Sequence, residues 1–282
     1  MQFFAIKTPL IKPNDNLIDI ILNSINLKPL KLANGDILVI AETPISITQD
    51  RIIKADEIKE ISPISERLAN KYKMSPIFTQ IIIEEADVIL GGVEGVLLTE
   101  KDGILIANAG VDQSNSGGEN KYVLFPKDPQ QTAKSIREQI IEKTGLEDIG
   151  IIIADSRVQP MKRGTIGVAI AVSGIEPIDD CRGKKDLFGR PLEITTRALA
   201  DNIVSGSQIL MGEADEQIPV VLVRNVPVKF TNRSISTEEM IMARDECLFM
   251  NVFKDLAVYK KPEYMKPTLR RQKENNEEQE KE

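Results

Sequence analysis

The sequence predicts a mixed α/β chain of the α+β class. Three features carry that reading: continuous apolar runs of strand length, stretches with a helical apolar period, and turn chemistry between them. Gly150–Ala154 is an unbroken apolar run of the kind buried on both faces of a sheet. Asp128-Pro129-Gln130-Gln131 supplies an N-cap, a proline at the first helical position and a Gln at the third, and Ala133, Ile136 and Ile140 then share one face up to Lys143, with Gly145 as terminator. Asp102-Gly103, between the apolar runs Val96–Thr99 and Ile104–Ala107, is a hairpin signal. A chain of 282 residues suits one large or two moderate domains. The expected division is a folded part over 1–259 and a charged tail over 260–282.

The remaining elements follow in chain order. Met1–Thr8 reads as a strand, and Asn14 or Asp15 caps a helix through Asn23 with Leu17, Ile18, Ile21, Leu22 and Ile25 as apolar positions. Gly35-Asp36 turns into a buried strand, Ile37–Ala41. Glu42–Arg51, polar and rich in hydroxyls, reads as a connector or a binding loop at that strand's end. Ser65–Lys73 is helical and stops at Ser75-Pro76, because a residue before proline avoids the helical region. Strands are expected at Ile77–Ile83, Lys121–Phe125, Val168–Val172 and Pro219–Arg224, and a helix from Thr195 or Thr196. Ser236-Thr237-Glu238-Glu239 is a capping box with Ile235 and Met240 as its staple, so a helix is expected to about Lys254. From Lys260 the apolar residues thin out into a tail read as disordered or as a solvated helix.

Composition excludes several classes of function. With 36 basic and 43 acidic residues the formal charge is -7, which argues against a nucleic-acid partner held by phosphate neutralisation. The two cysteines, Cys181 and Cys247, lie far apart and support neither a disulfide framework nor a thiolate metal cluster. No stretch is long and apolar enough to span a bilayer, and a cytoplasmic protein without a membrane partner is expected. There is no histidine, so the commonest general base and transition-metal ligand are missing and any metal should be oxygen-ligated.

The chemistry-bearing positions are therefore carboxylates and hydroxyls. Gly103–Gly118 ends a hairpin in a polar loop that carries Asp112, where Gly110, Gly117 and Gly118 would let backbone approach a ligand; Asx-type turns account equally for that composition. The run Gly150–Ala154 ends at Asp155-Ser156, followed by Arg157, Lys162 and Arg163. Arg182–Arg190 is a second basic loop. Met211–Ile218 is an acidic loop offering Glu213, Asp215 and Glu216. Asp112, Asp155, Ser156 and Glu213 together could hold one or two hard divalent cations, since Mg²⁺ and Mn²⁺ prefer such oxygens.

The order of these motifs is more specific than any one of them. ANAGVDQSN at Ala107–Asn115, FPKDPQQTA, a strand into Asp155-Ser156, GxxGVAI at Gly164–Ile170, RGKKDLFGRPL, and Gly212-Glu213 before PVVLVR resemble the coenzyme F420-0:L-glutamate ligase family over roughly Ile6 to Arg224. The resemblance implies a two-part mixed fold assembled as an intertwined homodimer. It implies an enzyme that uses GTP and Mg²⁺ or Mn²⁺, with K⁺ as a further cation, to attach L-glutamate to a deazaflavin coenzyme precursor through an acyl phosphate. It further implies that Asp112 and Asp155 are catalytic and metal-binding, that Ser156 and Glu213 bind metal, and that Asn115 contacts nucleotide. Thr8, Pro9, Leu10 and Ile11, then Glu42 and Thr43, and then Met211, Gly212, Glu213, Ala214, Asp215, Glu216, Gln217 and Ile218 match the nucleotide-contacting loops.

Two segments depart from the family's pattern. Ser46-Ile47-Thr48-Gln49-Asp50-Arg51 stands where members usually carry Ser-Lys-Ala-Glu-Gly-Arg, so Ile47 occupies a nucleotide-contacting lysine position. Val158-Gln159-Pro160 stands in place of Gly-Arg-Pro, and a lysine is no free substitute for a bidentate arginine. Two alternatives stay open beside the ligase: a nucleotide- or deazaflavin-binding paralogue without turnover, and a metal-dependent phosphohydrolase.

Overall fold

The computed structural model describes residues 1–252 and 258–262. The chain forms two compact units, one from Met1–Lys59 with Gly110–Lys254, the other from Glu60–Ala109 with Asp255–Glu282. Residues 263–282, most of the expected charged tail, lie outside the described residues.

The first unit is built on a five-stranded sheet. Its strands are β1 (Gln2–Ile6), β2 (Asp36–Ala41), β8 (Ile149–Val158), β9 (Thr165–Ser173) and β12 (Val220–Arg224), in the order β1-β12-β2-β8-β9. Of the neighbouring pairs only β2 and β8 run parallel. Continuous apolar sequence makes β2, β8 and β12 interior strands, with Ile37–Ile40, Ile151–Ile153 and Val220–Val223 buried. One face packs against α6 (Leu199–Met211): Val39, Ile152, Ala154, Ala169 and Val221 join Ala200, Ile203 and Val204 in one core. Alternation along the strands leaves Leu38, Ile40, Ile151 and Ile153 for the other face, where α1 (Leu17–Asn26) and α5 (Pro129–Thr144) pack.

The edge strand β9 is tied to both helices by side chains. The Gln130 amide donates to the Val172 carbonyl (2.7 Å) and accepts from the Val172 N–H (3.2 Å). Asp201 accepts from the Ala169 N–H (2.9 Å), and the Ser205 hydroxyl donates to the Gly167 carbonyl (3.0 Å). Gly167 is needed for the approach of α6, since a Cβ there would stand 2.6 Å from a Val204 methyl and 2.8 Å from the Val204 carbonyl oxygen. Two smaller ladders complete this unit: β3 (Ile52–Lys54) with β7 (Lys121–Val123), and β10 (Ile178–Asp180) with β11 (Thr196–Ala198).

The second unit contains α3 (Pro63–Tyr72), α4 (Pro76–Glu85) and the strands β4 (Val88–Val93), β5 (Val96–Lys101), β6 (Ile104–Ala107) and β13 (Tyr259–Lys260), in the order β13-β4-β5-β6. The β5–β6 hairpin turns at Asp102 and Gly103, both with positive φ (50° and 78°), as the sequence predicts.

Several elements differ from the sequence-based expectation, each for a physical reason. Glu42–Arg51 is not a loop: α2 (Glu42–Thr48) begins directly at the end of β2, with Pro44 tolerated in its first turn and Ile45 buried. Ile77–Ile83 is helix α4 rather than a strand. Ser75 caps it by accepting from the Phe78 N–H, Pro76 opens it, and burial of Ile81, Ile82 and Ile83 overrides β-branched propensity. The cap of α1 is Asn16, which accepts from the Asp19 N–H, not Asn14 or Asp15. Asp128 precedes α5 in a left-handed conformation and makes no side-chain cap bond. α6 starts at Leu199 because Thr196–Ala198 are taken up in β11. The capping box at Ser236 forms, and Ile235 and Met240 reach the same core, but only a single 3-10 turn, Thr237–Glu239, follows. Met242, Leu248 and Phe249 beyond it are exposed and only Met250 among 241–252 is buried, too little apolar contact to sustain a longer helix; the expected end, Lys254, is outside the described residues.

Candidate active site

The parallel pair β2 and β8 fixes the centre of the site. Ala41 pairs with Ala154, so the next residues, Glu42 and Asp155, leave the two strands side by side at the same end of the sheet. The sequence carries this as a repeated pattern, Val39-Ile40-Ala41-Glu42 and Ile152-Ile153-Ala154-Asp155. β8 does not stop at Asp155 as expected but runs on to Val158, and a bulge next to Ala154 leaves Ile170 of β9 unpaired just before the acid.

Two carboxylates, Asp155 and Glu42, are perturbed here. Burial raises the Asp155 pKa well above its ordinary value; the charges of Glu42, Asp112 and Glu213 push it the same way, opposed by the Ser156 N–H, which donates to Asp155 Oδ1 at 2.6 Å. Burial, with a contribution from Asp112, also raises Glu42, against a hydrogen bond from the Thr43 hydroxyl (2.6 Å). Negative charge is thus concentrated where little protein charge offsets it, the condition that a bound cation relieves.

The loop expected to carry Asp112 is fastened to the same unit. Asp112 and Val123 exchange backbone bonds (2.9 and 2.8 Å), and β7 in turn pairs with β3, which follows α2 and its Glu42. The Asp112 carboxylate accepts from the Ser114 N–H (2.9 Å) and from the Ser114 hydroxyl. Gly110, assigned on sequence to ligand approach, instead accommodates Phe125: a Cβ at Gly110 would stand 2.4 Å from the ring. Gly117 has open space around it.

Strand alternation separates Asp155 from Ser156. Ile152 and Ala154 face α6, so Ser156 shares that face, while Asp155 lies on the face of Ile151 and Ile153. α6 ends at Met211, and the acidic loop that follows places Glu213 beside Thr165 of β9, whose hydroxyl donates to Glu213 Oε1 (3.2 Å); the Gln208 amide donates to the same oxygen. The other segments named from the resemblance gather at this end. The Thr8 N–H donates to the Gln217 carbonyl (3.2 Å), the Asn115 amide to the Ala214 carbonyl (3.3 Å), and the Ala41 N–H to the Pro219 carbonyl (2.9 Å). Thr8 and Ile11 are buried, whereas Pro9, Leu10, Ala214, Asp215 and Glu216 are exposed. Gly212 has φ 71°, and Ile218 leads into β12.

The cations that stand close in sequence are distributed unevenly. Arg157 is engaged by Asp201 (3.6 Å), while Lys162 and Arg163 are exposed at the β8–β9 turn beside Gln159. Lys184 of the second basic loop and Arg197 of β11 donate to Asp179 and hold its carboxyl well below the ordinary range, and Arg182 holds Asp180 down to about 2. Those cations are answered by the two acids of β10. Ile47 is half-buried in α2.

Every donor in the cluster is an oxygen, which suits a hard divalent cation. Among the described residues no three His, Cys, Asp or Glu side chains close on one point as a ready-made cage. No helix among the described residues is long and apolar enough to cross a membrane.

Residues 5–225 match the family model described as F420-0:Gamma-glutamyl ligase. The chain belongs to that family. It is 41% identical over 221 residues to the coenzyme F420:L-glutamate ligase of Methanocaldococcus jannaschii, covering 78% of this chain and 86% of that protein. It is 37% identical over 217 residues to the enzyme of the same name from Methanopyrus kandleri (77% and 83%), and 36% identical over 250 residues to that of Methanococcus maripaludis (88% and 97%). As an F420-0:gamma-glutamyl ligase family member the protein is a ligase, and the matched span contains Glu42, Asp112, Asp155, Ser156 and Glu213. The resemblance marks Glu42 as a nucleotide contact alone, and neither Thr165 nor Gln208 is among the residues it names. The strand-end repeat could have paired Glu42 with Asp155; nothing local marks Gln208.

Proposed function

We propose that this ligase joins L-glutamate to a deazaflavin coenzyme F420 precursor with GTP as the phosphoryl donor and Mg²⁺ or Mn²⁺ at the carboxylate cluster. The observation that carries the reading is the set of acids at the adjoining ends of β2 and β8, where Asp155 feels Glu42, Asp112 and Glu213. Asp112 and Asp155 would hold a cation on one face of β8, and Ser156 and Glu213 on the other, with phosphate or water oxygens completing the shell as is usual for Mg²⁺. Such a cation offsets triphosphate charge and polarises the transferred group.

The chemistry needs no histidine. A carboxylate oxygen of the precursor attacks the γ-phosphorus, GDP leaves, and an acyl phosphate forms. The amine of L-glutamate then attacks the acyl carbon, phosphate departs, and the amine loses its proton as the amide forms. The protein's part is positional: the Thr8–Ile11 and Met211–Ile218 segments, joined through Thr8 and Gln217, and Asn115, bonded to Ala214, frame the nucleotide beside the acids. A homodimer and K⁺ dependence belong to the same reading through the family resemblance.

Ile47 and Gln159 favour a second reading, a binding paralogue without turnover, because neither side chain can pair with phosphate as a lysine or arginine does. One assay separates the readings. The protein is incubated with GTP, Mn²⁺ or Mg²⁺, L-glutamate and the precursor, and the products are weighed by mass spectrometry. A glutamate-sized increase on the coenzyme, absent in Asp155→Asn, is expected. Nucleotide loss without that product would mark a phosphohydrolase, and binding without either change the inert paralogue.

A further inference from the structure

Glu213 lies on an exposed loop, yet one of its oxygens is held from two separate elements. Oε1 accepts from the Gln208 amide nitrogen, on the last turn of α6, and from the Thr165 hydroxyl, at the start of β9 (3.2 Å). The two donors also lie within 3.4 Å of each other. The register of this clamp is set well inside the fold. Gly167 admits α6 to near contact with β9, and the Asp201–Ala169 and Ser205–Gly167 bonds fix the helix along the strand. Gln208 follows Val204 by one helical turn and so returns to the same side of α6, facing β9. Gly212, with φ 71°, then breaks the helix and returns Glu213 toward Gln208.

We propose that Gln208 and Thr165 are positioning residues: by occupying Oε1 they fix the Glu213 carboxylate so that Oε2 is presented to a divalent cation on the Ser156 face of β8. The inference rests on the reading of Glu213 as a cation ligand. Both clamp residues are neutral donors, which leaves the carboxylate its full charge while removing its rotational freedom, and partners of this kind tune metal affinity by about 10–100-fold. Neither is buried, so losing either donor should cost little fold stability.

The test measures cation binding directly. Mn²⁺ is titrated into the full chain in the presence of a non-hydrolysable GTP analogue, bound ion is read by water-proton relaxation, and Tm is recorded in parallel for wild type, Gln208→Leu, Thr165→Val, Thr165→Ser and Glu213→Gln. A Kd for Mn²⁺ raised about tenfold or more in Gln208→Leu, a smaller rise in Thr165→Val, recovery in Thr165→Ser and an unchanged Tm in all three would support the clamp. Unchanged Mn²⁺ affinity in both Gln208→Leu and Thr165→Val, with affinity lost in Glu213→Gln, would overturn the clamp and leave the cation site standing. Unchanged affinity in Glu213→Gln would overturn the cation role of Glu213 and the clamp with it.

Discussion

Replacing Gly110 by alanine tests how the Asp112 loop is held. Gly110 has φ 70°, and an added Cβ would stand 2.4 Å from Phe125 Cδ2 and 3.2 Å from its Cβ. Phe125 is 1% exposed, so its ring has nowhere to move. Two costs combine: about 1–2 kcal/mol for a left-handed non-glycine residue, and about 1–3 kcal/mol for forcing a methyl into a packed core. The sum, about 2–5 kcal/mol, corresponds in a chain of this size to a Tm lowered on the order of 10 °C. Gly117→Ala is the matched control: φ is 83° and nothing lies within 4 Å, so only the backbone cost applies and the loss should stay near about 1–2 kcal/mol. Urea denaturation of both variants measures the difference. Equal losses at the two positions would show that contact with Phe125 does not set the conformation of this loop.

Two further outcomes follow from the charge arrangement. The Asp155 pKa is raised in the folded state, so its ionised form destabilises the fold; that penalty grows as pH rises from the ordinary value of 3.8 through the folded pKa and is constant above it. Without divalent cation, Asp155→Asn should therefore have a higher Tm than wild type at neutral pH, with the gain vanishing below about pH 4; an equal Tm at every pH would show that neither burial nor the neighbouring acids penalise the ionised carboxylate. Asp36 is fully buried and bonded twice by Arg224, Nε to Oδ1 at 2.7 Å and a terminal nitrogen to Oδ2 at 2.6 Å. Asp36→Ala should cost about 1.5–3 kcal/mol in urea denaturation, because it removes charge-assisted bonds from a buried acceptor and leaves the Ala33 N–H without its partner, while Arg224 keeps the Lys31 carbonyl, and a loss below about 1 kcal/mol would class the pair with surface contacts.

The central sheet was legible because its strands are unbroken apolar runs, and the β5–β6 hairpin because Asp102-Gly103 is a strong local signal. α4 is hidden, since Ile77–Ile83 is as apolar and β-branched as a buried strand, and Ser75-Pro76, the stop of one helix, is equally the start of the next. α2 was hidden by its hydroxyls, which suit loops until tertiary packing buries Ile45 and Ser46. At the site, Asp112, Asp155 and Glu213 could be named from residue type, motif order and resemblance. Their shared electrostatic environment could not, because it depends on the parallel register Ala41 to Ala154 between strands more than a hundred residues apart. Gln208 is silent in sequence for the same reason: an amide on a helix acquires a role only from where the next loop returns.

The side-chain ties along β9 have a consequence for assembly. A sheet border usually offers free amides and carbonyls to which a strand from another molecule can attach. On β9 the groups of Gly167, Ala169 and Val172 are already occupied by Ser205, Asp201 and Gln130. An incoming strand would have to displace those side chains before gaining any bond there, so β9 is a closed border, and strand exchange between copies would have to begin elsewhere.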